Sequence, residues 1–494
     1  MPPVATLATF SLPVAFFYYF NVGVGSGFLG FPYVLFHSGL LAGVVALLTV
    51  AFFSAVTALW IVEATFRGQV VLHSAQNDSE RTFSSSSDHD DEMSNRKLEI
   101  NELCALFVGN WARVFFTIII SISVPLILWA YGALAASAWS SNIPFDSSTF
   151  GQCDDADFRG HQRPSNERCW NSYALCVLFF GCIVVPLSCM EIKEHKVMQL
   201  VLGAVRFVMI VSMSIYSLVG EIEHLECVET RSSRAQPNRT VDECREVWTS
   251  FHIERWIVVF PVTSYAYILH FAIPTLMQQT RDKKRSGVLV IAVFVVTTCL
   301  YVLVGVSVAV RYKDQVVETC SLSWIPMTKS SHSFIERSYA YLVVLYPSLD
   351  ILSAYPLIVT FLTNILLADY KQLTKTQPTK SMRIVGRFII ATVPLIGALF
   401  LSNLVQVTTY TGILSVSIYL LSALIQYKSK RLLSAMKTKN DLVTNCSDDE
   451  EPLISTSLSV KSQSSNVFGG NVMVGLSVVF ALWLAAATIG SWFV

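Results

Sequence analysis

The sequence predicts an all-α polytopic membrane protein with two interrupted spans, and three observations carry that reading. Of its 494 residues, 53% are hydrophobic and only 14% charged. With a mean hydropathy of +0.52, the chain departs from soluble averages in the direction of many membrane crossings. Eleven runs of largely uncharged residues are each long enough to cross a bilayer as a helix. The first and the sixth of these runs carry helix-weakening residues near their middles.

In chain order the runs fall near 9–36, 39–62, 114–140, 171–189, 197–219, 255–279, 287–310, 338–366, 384–402, 404–427 and 472–493. The N-terminal residues Met1 to Phe10 carry no Lys or Arg, so no cleaved signal peptide is expected and the first span is retained. That span contains Tyr-Phe-Asn-Val-Gly-Val-Gly-Ser-Gly-Phe-Leu-Gly-Phe-Pro from Tyr19 to Pro32. Gly23, Gly25 and Gly27, with Ser26 between them, weaken the helix at mid-membrane depth, where open backbone is tolerated only if it lines a cavity. A half-helix starting there points its positive end at the cavity, which suits a carboxylate. A Gly-xxx-Gly seam between packed helices fits the same spacing. The sixth span reads Phe260-Pro261-Val262-Thr263-Ser264-Tyr265-Ala266 at comparable depth. A second break fits there, and so does a single proline kink with Ser/Thr bonding back to the helix.

Charge fixes the expected sidedness. With the N-terminus inside, the inner connections hold most of the Lys and Arg, and the cluster Arg281, Lys283, Lys284 and Arg285 directly after a span is the clearest marker. The C-terminus then lies outside. Cys153, Cys169, Cys227, Cys244 and Cys320 fall on the outer side, where oxidation is permitted, as does the sequon at Asn238. Pairings of Cys153 with Cys169 and of Cys227 with Cys244 close short local loops within 142–170 and 220–254. A link from Cys244 to Cys320 is the alternative, and one of the five thiols is left over. Two inner segments, 69–97 and 429–471, are too polar to bury a core and are expected to be disordered. The second contains Asp448-Asp449-Glu450-Glu451-Pro452-Leu453-Ile454. An acidic patch followed by Leu-Ile, with Asp449, Leu453 and Ile454 as its key positions, resembles the dileucine signals that clathrin adaptors read for delivery to lysosomal and endosomal membranes. A solvated acidic linker is the plainer reading.

The Gly-rich stretch closing in Gly30-Phe31-Pro32, followed by a second span ending in Ile61-Val62-Glu63-Ala64, resembles the amino acid/auxin permease family of the APC superfamily. Ser188-Cys189-Met190-Glu191-Ile192-Lys193-Glu194, Arg206-Phe207, His270 with Pro274, and Tyr355-Pro356-Leu357 fall in that family's order. The Glu63-Ala64 ending, the long acidic inner loop and Cys169-Trp170 are similar to its orphan transmembrane-protein branch rather than to its sodium-coupled neutral amino acid transporters. The resemblance implies a LeuT-like fold over 1–494. Spans 1–5 and 6–10 are then inverted repeats, the helix at 472–493 is an addition, and spans 1 and 6 are broken. It also implies secondary transport of an amino acid or similar small organic solute by alternating access. The competing expectation is a nutrient-sensing receptor with little net flux, which the fold alone does not separate.

On this reading the amides of Gly23, Gly25, Ser26 and Gly27 hold a carboxylate, and carbonyls around Thr263 and Ser264 accept from an amine, with Tyr265 or Tyr267 closing one wall. Plain packing is the commoner reading of aromatics at such positions. Ionisable groups at membrane depth are functional candidates. Asp350 sits midway in the eighth span, near Ser353, where similar transporters bind sodium. Arg206 in the fifth span lies at comparable depth, and the two are expected to meet and replace the metal. The expected coupling ion is then a proton, ahead of sodium. A structural buried pair, or an Arg206 that snorkels to the surface, is the alternative. His270 suits a proton sensor, or a core histidine satisfied by backbone. Glu63 and Glu191 are read as gating or structural. No spacing for metal ligands, nucleotide loops or nucleophiles occurs, so no enzyme, cofactor or resident metal is expected, and zero net charge gives no basis for nucleic acid binding.

Overall fold

The computed structural model describes residues 10–25, 27–81, 98–144, 147–154, 157, 164, 166–191, 196–232, 252–330, 333–400, 404–444 and 470–490, and among these the regular elements are helices joined by irregular turns, with an isolated bridge between Phe10 and Thr280. The first span is α1 (Leu12–Val24), a 3-10 turn at Gly27–Gly30 and α2 (Phe31–Ser38). The two helical pieces are bent by 41°. Proline lies in the first turn of each, where its missing N–H costs nothing. α3 (Leu40–Arg81) is the second span. A short helix, α4 (Ile100–Phe107), follows, opened by a reciprocal capping box between Glu99 and Glu102. The third to fifth spans are α5 (Asn110–Asn142), α6 (Glu167–Cys189) and α7 (Lys196–Ser232).

The second half repeats the plan. The sixth span is α8 (Ile253–Ala266), a 3-10 turn at His270–Ala272 and α9 (Ile273–Gln279). α10 (Ser286–Tyr312), the short α11 (Ile325–Ser330), α12 (Phe334–Thr374), α13 (Lys380–Ala398) and α14 (Leu404–Thr444) follow, and α15 (Asn471–Gly490) closes the described chain. Among the described residues nine helical segments are long and apolar enough to cross a membrane, ten with the bent first pair, and α14 covers the run expected at 404–427. One apolar core runs through the whole bundle. Around it α12 and α14 pack on α5, α10 on α7, and α8 on α14. The opposite faces stay apolar and exposed, as with Leu41, Val45, Leu48 and Phe52 on α3, or Ile384, Phe388 and Val393 on α13. Such stripes suit hydrocarbon as the solvent.

Helices run further into the polar segments than composition suggests. α3 continues to Arg81 and α14 to Thr444, so the expected disorder at 69–97 and 429–471 does not hold for 69–81 or 429–444. α7 likewise extends to Ser232 in the expected loop 220–254. Arg67 pairs with Glu63 one turn back and also donates to Gln426 and Ser429 on α14, which ties the two helices together before they enter these segments. On the expected outer side, Cys153 and Cys169 form a disulfide that ties the segment after α5 to the start of α6. Cys320 is a buried free thiol. The positions Ser26, Asn238, Cys244, Asp449, Leu453 and Ile454, and the side chain of Cys227, lie outside the described residues.

Candidate functional site

The two interruptions meet. α1 ends at Val24 because Gly25 takes φ +46°, a left-handed conformation that side chains resist, and a Cβ there would come 2.6 Å from the Tyr131 hydroxyl. Gly27 resumes the chain against the other break, where an added Cβ would sit 2.6 Å from Ala266 Cβ and 2.9 Å from its Cα. α8 ends two residues beyond the hydroxyl pair picked out by the sequence, because a proline removes only its own donor. Past Ala266 the amide of Tyr267 bonds back to Thr263 O at 3.2 Å and Ser264 O at 3.3 Å, and Leu269 N to Tyr267 O at 2.9 Å.

Between the breaks lies a cavity lined by Val22 to Gly25 and Gly27 on one side and by Tyr265, Ala266, Ile268 and Phe271 on the other. Ile127 and Tyr131 of α5 and Ile358 of α12 complete the wall. About 20 Å³ is open to the centre of a water molecule, room for one or two waters. Among the described residues no Asp, Glu, Lys or Arg lines it. The polarity available there comes from helix ends: the start of the 3-10 turn at Gly27 offers a positive end and the close of α8 a negative one.

Beside the cavity Arg206 Nε donates to Asp350 Oδ1, with the two side chains 0% and 3% exposed. Arg206 Nη1 also donates to Asn21 O at 2.7 Å. The Asn21 amide donates to Gln199 at its backbone O (2.7 Å) and Oε1 (2.8 Å), and Gln199 Nε2 donates to Ser353 O at 2.7 Å. Ser353 Oγ donates to Asp350 O at 2.8 Å. Spans 1, 5 and 8 are thus joined by one buried network that meets the first break two residues before Gly23. Each charge there is compensated, as burial requires.

The other anticipated residues divide. Gly23, Gly25, Gly27 and Tyr265 line the cavity, whereas Thr263 and Ser264 are buried behind it. Thr263 Oγ1 donates to Val259 O at 2.6 Å within its own helix. Tyr267 lines a second, smaller space with Gly23, Val293 and Phe294 and donates to Thr298 Oγ1 at 2.8 Å. His270 is fully buried away from the cavity, its Nε2 2.8 Å from Thr57 Oγ1 and its ring edge-on to Tyr419. Glu63 accepts from Arg67 and Gln426 near the middle of α3 rather than at a helix end. Sequence reasoning missed Asn21, Gln199, Tyr131 and Tyr301. Gln199 had a signal, since it lies seven residues before Arg206, two turns along one face of α7.

Two interrupted helices meeting over a mid-bundle cavity, in a bundle of membrane-length helices, define a LeuT-like fold. The solved structure of MhsT in complex with L-phenylalanine shares this fold at a TM-score of 0.58 and 12% identity, covering 97% of this chain and 98% of that one. Residues 8–444 match the family described as transmembrane amino acid transporter protein, and the chain belongs to it. Similar curated proteins are the Transmembrane protein 104 homologs of Dictyostelium discoideum, 24% identical over 413 residues, and of Caenorhabditis elegans, 22% identical over 383. These alignments cover 73% of this chain in both cases, and 74% and 69% of the two relatives.

Proposed function

We propose that this transporter carries a net-neutral amino acid, or a similar small zwitterion, by alternating access around the cavity between its two breaks. The observation that carries the reading is the cavity itself: helix ends of opposite sign face a space that no charged side chain among the described residues lines. A carboxylate is held at the amides that open at Gly27 and an amine at the carbonyls that close α8. A solute with a charged side chain finds no counter-charge there and is excluded. Because little more than a water fits in this state, the breaks part to admit the solute.

Arg206 with Asp350 takes the place of a coupling metal, so movement is driven by protons or is uncoupled. A fixed guanidinium already neutralises the carboxylate and holds the Asn21 carbonyl at the first break, which leaves a sodium ion no ligand set beside it. Uptake into proteoliposomes under imposed proton or sodium gradients tests both parts. Saturable uptake of neutral amino acids without sodium is the expected result. Stabilisation by a solute with no flux would make the protein a sensor instead. The acidic segment ending at Leu453 and Ile454 directs it to lysosomal or endosomal membranes through a clathrin adaptor, with the N-terminus cytosolic and the C-terminus luminal.

A further inference from the structure

The second half of span 1 and the first half of span 6 lie antiparallel above the cavity. A Cβ added at Gly27 would meet Ala266, one at Gly30 would lie 3.6 Å from Val262, and at the far end His37 meets Arg255. α2 and α8 thus form a two-helix lid that runs from the cavity to the expected outer surface. At its outer end His37 Nδ1 lies 2.7 Å from Arg255 Nη1. A guanidinium has only donors and keeps its proton, so the nitrogen facing it is a bare acceptor and the ring is neutral, with its hydrogen on Nε2. Protonating Nδ1 turns the acceptor into a donor and sets two positive charges in contact. The bond therefore exists in one protonation state of His37 and not in the other.

The groups around His37 decide where it turns once charged. Among the described residues Arg255 and His252 of α8 oppose a positive ring, and Asp314, just past α10, favours one. Glu318 acts on Tyr33, whose ring packs edge-on against His37 at 4.4 Å between centroids. α3 carries no ionisable group before Glu63, and the turn at Cys320–Trp324 brings only the buried Cys320 thiol. Neutral His37 is held by α8, whereas charged His37 is drawn to the carboxylate after α10. Trp256 Nε1 donates to Ala42 O at 3.0 Å in either case, because neither group titrates, so α8 stays anchored to α3 while α2 is released. We infer that His37 and Arg255 are a proton-operated clasp on the lid, closed while His37 is neutral and opened by an acidic outer compartment, which admits solute to the cavity from that side. His37 is a positioning residue, since it does not line the cavity. The inference rests on the transporter reading for the identity of what enters; the clasp itself is tested without solute or flux.

The test uses the purified full-length protein in detergent with Ile127→Cys, which puts a thiol in the cavity wall, and measures its labelling by a small cationic methanethiosulfonate from about pH 8 down to about pH 5, across the range where an imidazole charges. At each pH the rate is divided by that of the same protein carrying His37→Gln, whose amide oxygen offers Arg255 an acceptor and cannot take a charge. The quotient cancels the pH dependence of the thiolate itself. It is expected to stay near unity in base and to climb about tenfold in acid, the size of one lost charge-assisted hydrogen bond. Asp314→Asn should move the climb to lower pH. His37→Arg, charged throughout, should label in base as fast as the His37 protein does in acid. A quotient that stays at unity over the whole range overturns the inference, because a merely structural His37 would give that result. So does a His37→Arg protein as slow in base as His37→Gln. Acid-dependent labelling alongside liposomes that show no uptake would remove the transport proposal and leave the clasp standing, and uptake with a flat quotient would remove the clasp alone.

Discussion

Substituting Asp350 by Asn leaves the Arg206 guanidinium, 0% exposed, in the bundle interior with no counter-charge. The acceptors left to it, Asn21 O at 2.7 Å and the amide oxygen of the new side chain, are neutral dipoles. Breaking a buried ion pair from one side costs about 3–5 kcal/mol, because the surviving charge keeps its desolvation penalty and loses its partner. Arg206→Met should cost a similar amount for the mirror reason. Replacing both at once removes both penalties, and buried pairs exchanged for apolar residues of like volume are often neutral in stability. The double variant Arg206→Met with Asp350→Leu is therefore expected to melt above either single variant, a strongly non-additive cycle. Uptake separates stability from mechanism. Asp350→Asn removes the carboxylate proposed to handle the proton, so the pH dependence of uptake should flatten in whatever protein remains folded. Single variants within about 0.5 kcal/mol of wild type, the range of a surface change, would refute the burial argument. An Asp350→Asn protein with its full pH profile would refute the proton role.

Other perturbations probe separate parts of the account. Gly27→Ala drives a Cβ to within 2.6 Å of Ala266 Cβ and should cost about 1–3 kcal/mol through overpacking, with loss of uptake exceeding loss of folded protein. Gly25→Ala meets both a positive φ and the Tyr131 hydroxyl at 2.6 Å, so adding Tyr131→Phe should recover part of the lost Tm but not the backbone share. Serine at Cys153 and Cys169, which lie 16 residues apart, should lower stability by about 3 kcal/mol, and a reducing agent should do the same to wild type. Burial pushes the Cys320 thiol well up from its ordinary range, so it should resist alkylation in the folded protein and react only on unfolding. Alanines at Leu453 and Ile454 should move the protein from lysosomal and endosomal membranes to the cell surface, and an unchanged distribution would end the sorting proposal.

The large features were legible because the bilayer makes them so. Spans follow from apolar length, and charge inside a span is costly enough that Arg206 and Asp350 stand out without any knowledge of where the helices pack. The glycines of the first break were legible for the same reason, since few residues weaken a helix as they do. The second break was displaced in the reading: Pro261 and the hydroxyls after it draw the eye, yet the helix survives its proline and ends at Ala266. Nothing in the side chain of Ala266 advertises that. Asn21, Gln199 and Tyr301 were missed because an amide or a phenol inside an apolar run has many harmless uses, and only tertiary placement brings these three to backbone carbonyls from other spans. The helical extensions beyond the membrane were missed because polar helix and polar loop share a composition until their i, i+4 partners are known.

The most direct measurement is an experimental map of the full-length protein in a saturating concentration of a transported neutral amino acid. The account predicts density between Gly25–Gly27 and Ala266, its carboxylate at the Gly27 end and its amine toward the close of α8, with Arg206 still on Asp350 and no ion beside them. An unbroken, fully hydrogen-bonded first span through Gly23–Gly27, or the solute bound elsewhere with this cavity unchanged, would contradict it.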